Sequence, residues 1–114
     1  MQPDDPVLVE DIVLEARDAL EFTYGYDHDH FVADRRTRKA VAHSLQTIGE
    51  AASQLSASFK EAHPGVDWRE IIAMRHRLVH GYRSVSYDIV WAVVVEELPG
   101  LMAALEPLLD QDGE

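Results

Sequence analysis

Apolar residues recur every three or four positions along most of the chain, and strand-like alternation persists nowhere in it. The most regular stretch has apolar side chains at Val41, Leu45, Ile48, Ala52, Leu55 and Phe59. This spacing places one apolar stripe along a helix that packs against other helices over its whole length. The pattern therefore predicts an all-α protein.

Capping residues and helix breakers divide the first half of the chain into two long predicted helices. The first spans about 6–22 and is followed by Gly25, which suits a left-handed cap. Residues 27–33 are polar and irregular, with room for one short turn of helix. Asp34 then caps a second helix, which the Pro-Gly pair within 63–65 stops.

A third helix is predicted with both of its ends defined. Asp67 and Glu70 match a capping box that has Asp in place of Ser or Thr. The helix should end at His80, with Gly81 as the residue past the cap.

The last part of the chain predicts two further helices. Ser86 can cap a fourth helix with apolar side chains on more than one face, so this helix is expected to be central or to lie at a subunit interface. Pro99-Gly100 should break it, and residues 101–109 should form a last short helix. A chain of 114 residues suits one domain, expected as an antiparallel bundle of four to five helices over 1–114.

Charge is unevenly distributed along this acidic chain. The formal net charge is −11, yet eight of the ten Lys and Arg residues fall in two islands. These are Arg35, Arg36, Arg38 and Lys39, then Arg69, Arg75, Arg77 and Arg83. Composition alone favours solvated helix faces for both islands, and one local anion site is the other interpretation that stays open.

Other classes of function are excluded by what the sequence lacks. Without cysteine there are no disulfides and no thiolate metal sites. No export signal is visible, and the longest apolar run, 89–95, is far shorter than the ~20 residues of a membrane-spanning helix. The expectation is a cytoplasmic protein without a membrane partner.

The third predicted helix carries the candidate chemistry. Its apolar stripe consists of Trp68, Ile71, Ile72, Leu78 and Val79. Arg75 falls in the middle of this stripe and must find a carboxylate, a phosphate or an aqueous cleft, because an unpaired buried charge costs several kcal/mol. The structural alternative is an ion pair with a core-facing acid, or a side chain that extends outward along the bundle.

Two histidines follow Arg75 on the same helix. His80 lies about 140° around the helix from Arg75, so the two groups can converge on one ligand only because His80 is terminal. His76 and His80 have the spacing of two metal ligands, but Arg77 stands where a zinc protease has its glutamate. With no third ligand evident, we expect no metal and no cofactor. Arginine, histidine and tyrosine suit phosphodiester chemistry without a metal. If the substrate is RNA, its 2′-OH supplies the nucleophile.

The segment Arg75-x4-His80-x-Tyr82 resembles the Arg-x4-His-x-Tyr motif of HepT-like toxins in the HEPN ribonuclease superfamily. Three blocks in order are similar to that family: 34–51 with its Asp-Arg start and Ile-Gly-Glu-Ala end, 63–82 around the motif helix, and 86–101 with its Leu-Pro break. His76 stands where family members often have Asn. The resemblance covers most of the chain.

This resemblance implies a dimeric helical bundle whose motif helices line a shared cleft. It implies the toxin of a type VII-like toxin–antitoxin system, a metal-independent endoribonuclease with Arg75 and His80 catalytic and His76 in support. The charge distribution adds the expectation that the two basic islands hold the RNA. It also implies a nucleotidyltransferase-type antitoxin that silences the toxin by adenylylating Tyr82. The alternative is a non-catalytic nucleotide-binding module or partner subunit of a nucleotidyltransferase.

Overall fold

The computed structural model describes residues 2–81, 83 and 85–112, and the part of the chain described in it is helical without strands. Its helices are α1 (Asp5–Phe22), α2 (His28–Ala33), α3 (Arg35–Gln54), α4 (Ala57–Ala62), α5 (Trp68–His80), α6 (Tyr87–Glu96) and α7 (Leu98–Asp112). The predicted all-α class is confirmed: five of these helices are longer, and α2 and α4 are short. None of the helices described is long and apolar enough to cross a membrane.

Helix α3 is the centre of the fold. It packs against α1 on one side and α5 on another, while α7 covers α1 and α6 joins α7 to α2. The core between them includes the fully buried side chains of Ile12, Ile48, Met74, Val90 and Leu105. Helix α5, which carries the candidate chemistry, is therefore fixed on the central helix of the bundle.

The second predicted helix was expected to continue to the 63–65 breaker, but α3 ends at Gln54 and α4 begins at Ala57. The Ser56 hydroxyl accepts from the Phe59 N–H at 3.1 Å and caps α4. Its backbone N–H and hydroxyl donate to the buried Asp5 carboxylate at 3.0 and 2.7 Å. Leu55 and Phe59 are both buried, so the apolar spacing continues through the break and conceals it.

The expected break at Pro99-Gly100 was also wrong. The chain turns at Glu97, and Pro99 and Gly100 lie inside the first turn of α7. Proline is tolerated there because the first N–H groups of a helix have no intrahelical partner. Helix α7 then continues through Pro107 to Asp112, beyond the predicted end at 109.

The ends of α5 agree with the sequence prediction. The Asp67 carboxylate accepts from the Glu70 N–H at 3.0 Å, and the helix ends at His80 with Gly81 at the cap. The buried face differs in detail, because it comprises Trp68, Ile71, Met74 and Leu78, whereas Ile72 and Val79 are only partly buried. Gly25 after α1 has the expected positive φ of 80°.

Candidate functional site

Arg75 lies in the interface between α5 and α3, with 27% of its side chain exposed. Its Nη2 atom is 2.9 Å from Oε2 of Glu50, whose side chain is 47% exposed. Glu50 therefore neutralises the charge of Arg75 on the apolar stripe, but Glu50 lies at the rim of the interface and not in the core. The sequence left several partners open for Arg75, and in the single chain its partner is a carboxylate, that of Glu50.

The glycine next to Glu50 makes room for Arg75. A Cβ built on Gly49 would lie 2.3 Å from Cβ of Arg75 and 3.0 Å from the Ile71 carbonyl oxygen. Since real Cβ atoms do not approach that closely, only glycine permits α5 to come this near to α3. Gly49 and Glu50 thus contact opposite ends of the same side chain.

The Arg75 guanidinium group has donors that the described residues do not use. Its Nε atom is buried without a hydrogen-bond partner among them. The side chain also lines an open cavity of about 340 Å³, and the remaining walls are Leu8, Asp11, Gln46, Thr47, Glu50, Ala51 and Gln54. The guanidinium group has the donor geometry to bind an oxyanion, although Asp11 and Glu50 add two carboxylates to the same wall.

The two histidines of the motif helix lie on a different, exposed face. The ring centroids of His76 and His80 are 5.6 Å apart, with the planes inclined by 30°. An exposed imidazole at a helix end is accessible to a proton donor or acceptor. His80 therefore contacts His76 and Arg75 contacts Glu50, and no hydrogen bond among the described residues joins Arg75 to His80.

The first basic island is divided by the structure. Arg38 turns inward: its Nη1 donates to the Val32 carbonyl at 2.6 Å, and its guanidinium carbon lies 4.6 Å from the centroid of the Tyr87 ring. Arg35 and Arg36 are exposed and line an open cavity of about 550 Å³ at the start of α3.

Lys39 is exposed and lines a separate cavity of about 220 Å³. This cavity also includes His43, Gln46 and Leu78, so it lies between α3 and the last turns of α5. Gln46 lines the Arg75 cavity as well. Of the first island, Lys39 is thus the residue that shares a cavity wall with the motif helix.

The second island does not form one patch either. Arg77 is 3.0 Å from Glu70 in an exposed ion pair, and Arg83 is exposed beyond the helix end. Arg69 is at the other end of α5, about 16 Å from His80 along the axis at 1.5 Å per residue. Tyr82 lies outside the described residues.

Sequence reasoning missed Gly49 and Glu50 as parts of the site. A glycine inside an otherwise regular helix is a signal of close backbone approach, and it was available at 49. Glu50 belongs to the Ile-Gly-Glu-Ala end of the block 34–51, but nothing in that block indicates a contact with Arg75. Among the described residues, no group of three or more His, Asp or Glu side chains is arranged to hold a metal ion.

The fold and the site define a class of protein. It is a helical protein with an arginine, Arg75, in the interface between α5 and α3, and a histidine, His80, at the end of α5. The family model described as "Ribonuclease HepT-like" matches residues 12–108. The chain belongs to the HepT-like ribonuclease family, as its motif and sequence blocks indicated.

Named relatives cover nearly the whole chain. "Probable ribonuclease HepT" of Thermococcus cleftensis is 36% identical over 100 residues, which are 88% of this chain and 91% of the relative. "Putative RNase MJ0127" of Methanocaldococcus jannaschii is 34% identical over 105 residues, covering 91% and 87% of the two chains. "Putative RNase TTE0752" of Caldanaerobacter subterraneus subsp. tengcongensis is 35% identical over 104 residues, covering 91% and 93%. No solved structure matches the chain significantly.

Proposed function

We propose that this chain is a metal-independent endoribonuclease and the toxin of a type VII-like toxin–antitoxin system. The observation that carries the proposal is Arg75, which lies on the motif helix of a chain in a ribonuclease family and lines an open cavity. Arg75 would hold the scissile phosphate and stabilise the charge that develops on it.

The chemistry needs no nucleophile from the protein. The 2′-oxygen of the RNA attacks the adjacent phosphorus, the bond from phosphorus to the 5′-oxygen breaks, and a 2′,3′-cyclic phosphate forms. The 2′-hydroxyl loses a proton and the leaving 5′-oxygen gains one. His80, exposed at the end of α5, is the group that moves a proton in this scheme.

Arg75 and His80 do not contact each other within one chain, and a dimer with facing motif helices would bring the two groups from different copies to one cleft. Exposed apolar side chains support such an assembly: Ile89 and Val95 of α6 are 42% and 51% exposed. A two-fold dimer would also place both sets of basic residues around one groove. Sedimentation at micromolar concentration tests this part of the proposal.

Regulation is assigned to Tyr82 through the family resemblance. A nucleotidyltransferase antitoxin would transfer AMP from ATP to the tyrosine oxygen, releasing pyrophosphate. The added phosphodiester carries a charge of about −1 and would oppose the RNA phosphate. Tyr82→Phe, which removes only the acceptor oxygen, should escape neutralisation by an active antitoxin.

The test of the ribonuclease is cleavage of a short RNA in EDTA by wild type and His80→Ala. The variant should lose about 10²-fold or more in rate, and the wild-type product should end in a 2′,3′-cyclic phosphate. His28→Ala is the control, because His28 is another exposed histidine, on α2. Cleavage that disappears in EDTA and returns with zinc would reject the metal-independent mechanism, and wild type that cuts no RNA would leave the non-catalytic alternative.

A further inference from the structure

The ion pair between Arg75 and Glu50 differs from other arginine–glutamate pairs in the protein. Arg77–Glu70 and Arg17–Glu106 join arginines that are 48% and 49% exposed, so both pairs lie on the surface. The Arg75 side chain is only 27% exposed and its partner distance is 2.9 Å. Exposed pairs contribute little to stability, whereas a partly buried arginine with one defined partner has its orientation fixed.

Two adjacent residues of α3 hold the two ends of this side chain. Gly49 receives the Cβ of Arg75, at a distance that a side chain on residue 49 would prevent. Glu50, the next residue, forms an ion pair with Nη2 at the far end of the same side chain. Since both contacts come from one rigid helix, they restrict the arginine from its backbone to its guanidinium group.

The contacts with Gly49 and Glu50 leave part of the Arg75 guanidinium group without a partner among the described residues. This group has five N–H donors, and the contact with Glu50 uses the Nη2 edge. Nε remains buried without a partner among the described residues, and the side chain lines the 340 Å³ cavity. Because the buried Nε is not accessible from the cavity, an oxyanion there would bind the exposed part of the guanidinium group, which Glu50 orients without covering it.

We propose that Glu50 is a positioning residue for RNA cleavage. It acts by orienting Arg75, whose close approach to α3 is possible because residue 49 is glycine. The inference rests on the proposed ribonuclease function and adds to it a residue that never touches the substrate. Without Glu50, the long arginine side chain samples other rotamers, and the transition-state phosphate loses a correctly oriented donor. Removing a carboxylate beside Arg75 also strengthens attraction of RNA, so kcat and KM are affected differently.

The experiment compares kcat and KM for cleavage of a short RNA in EDTA. Glu50→Ala should lower kcat about 10-fold with KM unchanged or reduced. Glu50→Gln, which keeps an acceptor oxygen, should recover part of that loss. Glu106→Ala is the matched control, because Glu106 is also 47% exposed and also pairs with an arginine, yet lies far along the chain on α7. Its kinetics should equal those of wild type.

A double variant separates positioning from an independent effect. In an Arg75→Ala background, adding Glu50→Ala should change the rate less than two-fold, because the residue that Glu50 orients is already gone. Thermal unfolding midpoints should show that each variant is folded at the assay temperature.

Two results would overturn the inference alone: Arg75-dependent cleavage that is as fast or faster in Glu50→Ala, or an equal loss from Glu50→Ala with and without Arg75. Wild type that cleaves no RNA would overturn the proposed function, and this inference with it.

Discussion

Arg38 and Arg75 are both arginines of α-helices with a buried Nε that has no hydrogen-bond partner among the described residues. Their other contacts differ. Arg38 bonds the Val32 carbonyl and lies over the Tyr87 ring, so it joins α3 to α2 and α6. Arg75 forms an ion pair with one carboxylate at the rim of an open cavity. A partly buried arginine is thus not in itself a sign of function, and what surrounds its remaining donors separates a structural cation from a candidate catalytic one.

Of the substitutions that test the difference between Arg38 and Arg75, Arg75→Ala should have the largest effect, and that effect is on catalysis. Arg75→Ala should lower the rate of RNA cleavage about 10²-fold or more, because it removes the donors that would hold the transition-state phosphate. Single-turnover cleavage in EDTA measures the rate, and circular dichroism checks that the helices remain. Cleavage by Arg75→Ala within three-fold of wild type would assign Arg75 to structure, alongside Arg38.

The close packing of Arg75 against Gly49 should make stability sensitive to one added methyl group at residue 49. Gly49→Ala places a Cβ 2.3 Å from Cβ of Arg75, so α5 must shift and the unfolding free energy should fall by about 2 kcal/mol. Gly100→Ala is the control, since its Cβ would meet nothing within 4 Å. Urea titrations measure both. Equal stability of Gly49→Ala and wild type would mean that α5 tolerates displacement and that the close approach is not required.

Arg38→Ala should affect stability more than chemistry. Loss of the bond to Val32 and of the contact with Tyr87 should lower the unfolding free energy by about 1–2 kcal/mol. Urea unfolding and RNA cleavage of the same preparation distinguish the roles. An Arg38→Ala protein with wild-type stability but weakened RNA binding would instead support the role in the basic island that the sequence indicated.

The smallest expected effect is a pH dependence in the same region as Arg38. His28 of α2 bonds Asp29 at 3.0 Å and Asp88 of α6 at 2.6 Å, and these two bonds raise the pKa of His28. A raised folded-state pKa means that the stabilisation is complete below the unfolded value of 6.5 and is lost as pH rises through the folded value.

Urea unfolding between pH 6 and pH 9 should therefore show a small loss of stability that is absent in His28→Gln. The effect is small because His28 is exposed and its ion pairs are screened by solvent. A pH dependence that persists in His28→Gln would assign the titration to another group.

Local patterns in the sequence identified most of the fold. The ends of α5 follow from the Asp67 cap and from Gly81, because capping depends on residues within one turn of the helix end. The left-handed Gly25 was predictable for the same reason. The break between α3 and α4 was not predicted, because the apolar spacing of Leu55 and Phe59 concealed the local cap at Ser56 and because Asp5, which also bonds Ser56, lies 51 residues away.

The candidate site is divided in the same way. The sequence by itself predicted which residues would carry the chemistry and placed Arg75 on an apolar stripe, since helical periodicity fixes which side chains share a face. Only the tertiary structure decided that Glu50 is the partner of Arg75, that Gly49 admits it, and that Arg38 turns inward onto Tyr87. These contacts join different helices, and no local pattern encodes which helix faces which.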